Sequence, residues 1–90
     1  MTWRIELTDS SERELAKLDQ QIARRLLTFL HERIAPLEDP RTIGEALKGS
    51  RFGDLWKYRV GDYRIVASIE DDLVLILIVR FGHRKEVYKR

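Results

Sequence analysis

The pair Gly61-Asp62 stands between two stretches in which apolar and polar residues alternate. LWKYRV precedes the pair and YRIVAS follows it. Alternation with period two on both sides is typical of two half-buried β-strands joined by a two-residue turn. Glycine at the first turn position favours a type II′ turn, because that turn needs a positive φ there. Since a turn this short fixes the register of both strands, this stretch constrains the fold more than any other.

The predicted hairpin separates an apolar face from a basic one. Pairing outward from the turn gives four cross-strand pairs: Val60 with Tyr63, Arg59 with Arg64, Tyr58 with Ile65, and Lys57 with Val66. The side chains predicted to face the core are Trp56, Tyr58, Val60, Tyr63, Ile65 and Ala67. The other face carries Lys57, Arg59 and Arg64 with no acid in the cluster, although directly opposed like charges weaken a sheet. A fold does not require that arrangement, whereas a site for a polyanion does.

The remaining elements predict a single α+β domain over residues 1–90. Residues 3–8 alternate and predict a first strand. Thr8, Asp9 and Ser10 are N-cap candidates, and a capping-box sequence at residues 11–14 predicts a short helix that ends near Asp19. A second helix is predicted from about Gln21 until Pro36 ends it. Residues 37–52 contain breakers and predict a connection, and the apolar run 73–79 suits a central strand. The predicted fold is an N-terminal strand, an antiparallel helix pair and a three-stranded antiparallel meander, with the helices packed on one sheet face.

Composition excludes several classes of protein. The chain has 90 residues and no cysteine, so it has no disulfide framework and no thiolate nucleophile or metal ligand. It shows neither an apolar signal segment nor an apolar run long enough to cross a bilayer, which predicts a cytoplasmic protein with no membrane partner. Residues 51–90 hold nine basic and six acidic side chains, against eight and nine in residues 1–50. This asymmetry indicates an anionic partner, although a solvated basic surface is the simpler alternative.

The sequence around the basic face of the hairpin lacks the residue clusters that a metal-dependent nuclease needs. No carboxylate cluster, His/Cys ligand set or phosphate-binding glycine motif accompanies it, so no metal or cofactor is expected. Cations around a groove bind a phosphodiester and stabilise the charge that develops on it. RNA supplies its own nucleophile, the 2′-hydroxyl. DNA lacks that group, so such a site selects RNA.

Individual side chains have candidate roles in that chemistry. Like charges beside Lys57 favour its neutral amine, which makes it a candidate base. Arg59 and Arg64 are candidate clamps for the transition state, because arginine keeps its proton. His83 is a candidate general acid and Tyr88 a candidate for stacking on a base. Taken singly, each of these residues also fits a surface or packing role, and the opposed arginines favour the functional interpretation.

Three segments resemble the RelE branch of the RelE/ParE toxin superfamily: LKG at residues 47–49, LWKYRVGDYRI at residues 55–65 and GHRKEVY at residues 82–88. The resemblance implies a compact α+β fold, a type II toxin–antitoxin module, and metal-free cleavage of mRNA in the ribosomal A site through 2′-hydroxyl attack. It also implies five catalytic positions: Lys57 as base, Arg59 for the transition state, Arg64 for the phosphate, Arg84 for the leaving group and Tyr88 for orienting the nucleotide.

Further basic residues extend the predicted RNA-binding surface: Lys48, Arg51, His83 and Lys85, with Arg41 at the rim. Related toxins use a histidine near the C-terminus in catalysis, so His83 and Arg84 are alternatives for the acid. The implied partners are a RelB-like antitoxin, the ribosome and mRNA. Two alternative functions stay open, a ParE-like inhibitor of DNA gyrase that cuts no RNA, and a non-catalytic module that binds RNA or a protein.

Overall fold

The computed structural model describes residues 2–47 and 55–87, with the backbone alone for residues 86 and 87. The elements in chain order are β1 (Arg4–Leu7), α1 (Asp9–Ala16), α2 (Gln20–Phe29), β2 (Glu45–Ala46), β3 (Leu55–Val60), β4 (Tyr63–Glu70), β5 (Leu75–His83) and α3 (Arg84–Val87). A π-helical turn at Leu30–Ile34 continues α2, and 3₁₀ turns lie at Pro40–Ile43 and Asp71–Leu73. Within the described ranges no helix has the length and apolar character needed to span a membrane.

The strands form one sheet in the order β1-β5-β4-β3-β2. β3, β4 and β5 make the predicted antiparallel meander, and β2 adds a short antiparallel strand beside β3. β1 lies parallel to β5, with Arg4 opposite Leu75. The predicted α+β class is confirmed. β2 lies within residues 37–52, so the prediction of a plain connection is wrong at Glu45 and Ala46.

The central hairpin has the predicted register, with Val60 opposite Tyr63 and Arg59 opposite Arg64. Gly61 adopts a φ of +61°, and in the described part of the chain positive φ at a non-glycine residue is confined to Val74. A positive φ at the first turn position and not at the second is the pattern of a type II′ turn. The turn therefore brings the two arginines into direct opposition.

The apolar face of the sheet packs against α2 and its π-helical turn. The buried cluster consists of Trp3, Leu26, Leu30, Ile34, Tyr58, Val60, Ile65, Ala67, Ile76, Ile78 and Phe81. Leu26, Leu30 and Ile34 recur at every fourth residue, so they form one stripe along the helix. All residues predicted for the core face of the hairpin contribute, with Trp56 and Tyr63 partly buried at the margin.

α1 begins before the predicted capping box. Thr8, one of the three predicted N-cap candidates, is the N-cap, and its Oγ1 accepts a hydrogen bond from the Ser11 N–H at 3.1 Å. The box predicted at residues 11–14 is therefore wrong. Glu14 instead accepts from the Phe81 N–H of β5 at 2.9 Å and pairs with Arg80 at 3.1 Å. The Phe81 N–H lies beyond the last residue of β1, Leu7, so Glu14 takes the place of a strand partner there.

The apolar run 73–79 enters β5 later than predicted. Leu73 lies in a 3₁₀ turn with 59% of its surface exposed, and Val74 adopts a left-handed conformation with φ 49° and ψ 50°. β-branched residues seldom occupy that region. The strand begins at Leu75, because the connection from β4 uses the two residues before it.

A bulge interrupts the pairing of β4 with β5. Val66 lies opposite Arg80, whereas the next residue, Ala67, lies opposite Ile78. Val79 is thus the extra residue, and an extra residue reverses the alternation of side chains in the remainder of a strand. The residues of β5 beyond Val79 therefore face the opposite way from what uninterrupted alternation predicts.

Arg41 fixes the end of the sheet that lies away from the hairpin turn. Its Nη2 lies 2.6 Å from Asp71 Oδ2, and its Nη1 lies 3.2 Å from Asp39 Oδ1. The hydrogen bond to Asp71 raises the pKa of Arg41 and lowers the pKa of the Asp71 carboxyl. Arg41 thus joins the turn at Pro40–Ile43 to the connection between β4 and β5. The prediction that it extends the basic rim is wrong.

Tyr58 packs into the core between the sheet and the Pro40–Ile43 turn. Its hydroxyl donates to the Pro40 carbonyl at 2.6 Å, and burial raises the pKa of the phenol to about 12. A Cβ on Gly44 would lie 2.8 Å from Tyr58 Cε1, so the ring requires glycine there. The predicted core role of Tyr58 is confirmed.

Candidate active site

A pocket of about 300 Å³ opens beside the basic face of the hairpin. It lies along β3 and its two neighbours, β2 and β4. The residues that line it are Ile43, Glu45, Lys57, Tyr58, Arg59 and Arg64. Among the lining residues that the structure describes, three are basic and one is a carboxylate. The excess of positive charge in a concave site favours an anionic ligand.

Arg59 and Arg64 form a row across the sheet. They pair between β3 and β4, and Gly82 of β5 follows opposite Arg64 without adding a side chain. Arg59 is exposed, and it makes no ion pair with any residue in the described ranges. The fold therefore keeps two like charges side by side, which costs stability that a bound anion would restore.

Arg64 is held more firmly than the sequence predicts. Only 9% of its surface is exposed, and its Nη1 donates to the carbonyls of Gly61 at 3.1 Å and Tyr63 at 3.0 Å. Carbonyl oxygens are neutral acceptors, so these bonds orient the guanidinium without cancelling its charge. A cation already oriented at the pocket wall stabilises an anion with little reorganisation.

Glu45 brings a carboxylate to the pocket, so the prediction that no acid lies in the cluster is wrong. β2 places Glu45 opposite Lys57, and Glu45 Oε1 lies 3.5 Å from Lys57 Nζ. The Glu45 side chain keeps 71% of its surface exposed, against 28% for Lys57. Because an ion pair with so exposed a partner is weak in water, an incoming anion is able to displace it.

The segment after β5 begins at the hairpin turn. The Arg84 N–H donates to the Asp62 carbonyl at 2.8 Å, and α3 starts there. Arg84 and Lys85 are both exposed. The helix that carries these two predicted site residues therefore begins beside the turn, at the pocket end of the sheet.

His83 lies on the sheet face opposite the pocket. It pairs with Tyr63, and the two rings meet edge to face with centroids 5.7 Å apart. Arg64, the residue after Tyr63, faces the pocket. The bulge at Val79 is the cause, since uninterrupted alternation from Ile78 would put His83 on the pocket side. The structure thus separates His83 from Arg64.

The predicted site residues fall into three groups. Lys57, Arg59 and Arg64 line one pocket. His83, Arg84 and Lys85 follow one another beside the adjoining turn, with the His83 side chain on the sheet face opposite the pocket. Lys48, Arg51 and Tyr88 lie outside the described residues.

The sequence does not predict that Arg25 lies against the hairpin turn. A Cβ built on Gly61 would lie 3.0 Å from Arg25 Nη2, so the guanidinium rests against the turn glycine. The available signal is helical spacing. Arg25 stands three residues after Ile22 and four before Phe29, and both of these pack against the core.

The sequence profile of one protein family, described as the ParE toxin of the type II toxin-antitoxin system parDE, matches residues 5–88. The chain belongs to this family. It is a toxin of a type II toxin–antitoxin system within the RelE/ParE superfamily, and the resemblance noted in its sequence is confirmed.

The toxin is similar to a curated relative and to solved structures over 96–100% of its length. It is 27% identical to Toxin RelG of Mycobacterium tuberculosis (strain ATCC 25618 / H37Rv) over 90 residues, all of both chains. It matches a chain of the M. tuberculosis RelBE2 toxin-antitoxin complex with a TM-score of 0.82 at 24% identity, over 96% of this chain and 95% of that chain. It matches a chain of the archaeal RelE-RelB complex from Pyrococcus horikoshii OT3 with a TM-score of 0.68 at 28% identity, over 96% and 99% of the two chains.

Proposed function

We propose that the toxin is a metal-independent endoribonuclease that cuts mRNA in the ribosomal A site and so inhibits translation. The observation that carries this proposal is the meeting of Lys57, Arg59 and Arg64 in one pocket. Arg64 is oriented there by carbonyls and keeps its charge. The two arginines suit a phosphodiester whose negative charge grows in the transition state, and Lys57 lies beside them as the candidate base.

The reaction requires two proton transfers around one displacement at phosphorus. The 2′-oxygen bonds to phosphorus as the bond from phosphorus to the 5′-oxygen breaks. A base takes the 2′ proton, and an acid gives a proton to the departing 5′-oxygen. The products are a 2′,3′-cyclic phosphate and a 5′-hydroxyl. No external nucleophile is needed, which accounts for a preference for RNA over DNA.

Lys57 takes the role of base in this proposal. Its amine lies in the pocket beside Glu45, so the pair must open before Lys57 reaches the 2′-hydroxyl. The high exposure of Glu45 lets its side chain turn toward solvent. The phosphate then replaces Glu45 as the anion among the cations.

Arg64 and Arg59 act on the phosphate. Arg64 binds a non-bridging oxygen from a fixed position, and the more exposed Arg59 closes on the phosphate from the neighbouring strand. Arg84 stabilises the charge on the leaving oxygen, which takes its proton from solvent, and Tyr88 orients the nucleotide. The position of His83 on the opposite face favours Arg84 over His83 for that step.

The principal alternative is a ParE-like inhibitor of DNA gyrase without nuclease activity. The matching family profile carries the name of a ParE toxin, which favours this alternative. The pocket favours the nuclease, because a gyrase-binding surface has no need of opposed arginines with an oriented guanidinium.

Induction of the toxin followed by mapping of mRNA ends on ribosomes separates the two functions. We expect cuts within A-site codons in the wild type and their loss in both Arg64→Ala and Arg84→Ala. A DNA-damage response without new mRNA ends would support the gyrase inhibitor. Similar toxins have been solved with RelB antitoxins, so we also propose a RelB-like antitoxin as partner, and co-expression with it should restore growth.

A further inference from the structure

The hairpin turn carries a second basic group on the side opposite the pocket. Arg25 reaches the turn from α2, and its Nη2, Nη1 and Cζ would lie 3.0, 3.4 and 3.5 Å from a Cβ built on Gly61. Three guanidinium atoms at similar distances indicate that the flat group lies over the glycine. Gly61 thus serves two needs, since it supplies the positive φ of the turn and the space for Arg25.

Arg25 is positioned without being neutralised. Its side chain is exposed, and within residues 2–47 and 55–87 it has neither an ion pair nor a side-chain hydrogen bond. Asp62, the acid of the turn, is exposed and makes no ion pair with it. The N–H donors of Arg25 therefore face solvent, in the planar fork that matches phosphate oxygens.

An aromatic pair lies on the same side of the turn. Tyr63 and His83 are on the sheet face that α2 covers, and their rings make an edge-to-face contact with centroids 5.7 Å apart. Both side chains are only partly buried. Partly exposed aromatic rings are a common platform for the bases of single-stranded RNA, and Arg25 reaches the same turn from the same side of the sheet.

We infer that Arg25, Tyr63 and His83 form a second nucleotide subsite, which binds the phosphate and base of an RNA residue flanking the one in the pocket. The inference rests on the proposed function. Gly61 links the two subsites, because its carbonyl holds Arg64 of the pocket and its Cα supports Arg25. An RNA strand that leaves the pocket over the turn therefore meets Arg25 directly.

Binding of a single-stranded 2′-O-methyl RNA tests this subsite apart from catalysis, because that RNA lacks the free nucleophile. Fluorescence anisotropy at several salt concentrations compares the wild type with Arg25→Gln and Arg24→Gln. Arg24 is the matched control, since it is the adjacent arginine and lines the outer groove of α2 with Leu27 and Thr28. We expect Arg25→Gln to weaken binding by about 5- to 10-fold and to lower the salt slope by about 0.7, the value for one phosphate contact on a single strand.

A second variant tests the aromatic part of the subsite. His83→Ala should weaken binding by about 5-fold without changing the salt slope, because stacking releases no counterions. This variant also keeps the inference testable where Arg25→Gln does not fold.

Several outcomes would overturn the subsite. These are equal losses in Arg25→Gln and Arg24→Gln, an unchanged affinity in His83→Ala, or a wild type that binds no RNA. The proposed nuclease activity is tested separately, by mapping mRNA ends. A toxin that binds RNA through Arg25 and cuts no mRNA keeps the subsite and loses the nuclease.

Discussion

Arginines at the two ends of the sheet have opposite surroundings. Arg41, at the end away from the hairpin turn, is bound by the carboxylates of Asp71 and Asp39. Arg59 and Arg64, at the end next to the turn, meet no carboxylate in the described ranges, and Arg64 is held by carbonyls instead. Within the described ranges, the fold balances the charge of Arg41 with carboxylates and places none beside the charges of Arg59 and Arg64. Both ends of the sheet carry arginines, so it is the position of the carboxylates that separates the structural ion pairs of Arg41 from the candidate site at Arg59 and Arg64.

The largest effect is expected at Arg64. Arg64→Ala removes the oriented cation, so the single-turnover rate of mRNA cleavage on programmed ribosomes should fall by about 10²- to 10³-fold. Arg64→Lys keeps the charge but loses the planar fork, and an intermediate rate is expected. Cleavage at the wild-type rate by a folded Arg64→Ala protein would break the contrast between the two ends.

Gly44→Ala should have the largest effect on stability. The new Cβ would lie 2.8 Å from Tyr58 Cε1. Because overpacking forces the ring or the backbone to shift, we expect the free energy of unfolding to fall by about 1–3 kcal/mol in urea titrations. Tyr58→Phe is the control, since it keeps the ring and loses only the bond to the Pro40 carbonyl. Equal stability of Gly44→Ala and wild type would contradict the packing described for Tyr58.

Glu45→Gln should improve substrate binding modestly. The substitution removes one anion that competes with phosphate for Lys57, so the KM for the ribosomal complex should fall by about 2- to 5-fold with kcat little changed. Glu38→Gln removes an equal charge from an exposed side chain outside the pocket and is the matched control. A fall in kcat in Glu45→Gln alone would instead assign Glu45 a part in proton transfer.

The smallest effect is expected at Asp71. Arg41 holds the pKa of this carboxyl below its ordinary value of 3.8. A lowered folded-state pKa stabilises the fold above the unfolded pKa, and the contribution disappears as the pH falls through the folded-state pKa. Asp71→Asn should therefore unfold at slightly lower urea than wild type at pH 7, and the two should converge in acid. Asp72→Asn is the neighbouring control, and mRNA cleavage should be unchanged in both.

The hairpin was predictable because its signals are local. Period-two alternation and one turn glycine determine the register, so the opposition of Arg59 and Arg64 follows from the sequence alone. Helical spacing likewise locates Leu26, Leu30 and Ile34 in the core. These features need no knowledge of distant residues.

The rest depends on contacts between distant parts of the chain. A two-residue strand has no periodicity, so the sequence does not predict that Glu45 lines the pocket. The Glu14 carboxylate is able to accept from the Phe81 N–H because β1 ends at Leu7, before it reaches that part of β5. The bulge at Val79 reverses the faces of β5, and no local pattern predicts that His83 and Arg64 point apart.

The parallel pairing of β1 with β5 has a consequence for the order of folding. The first strand cannot find its neighbour until nearly the whole sequence has been made, and β5 also supplies the second edge of β4. Helices and the central hairpin form quickly from nearby residues, whereas such a long-range closure is slow. A chain that lacks β5 would leave the edges of β1 and β4 unpaired. Such a truncated product should be degraded by proteases before it can act as a toxin.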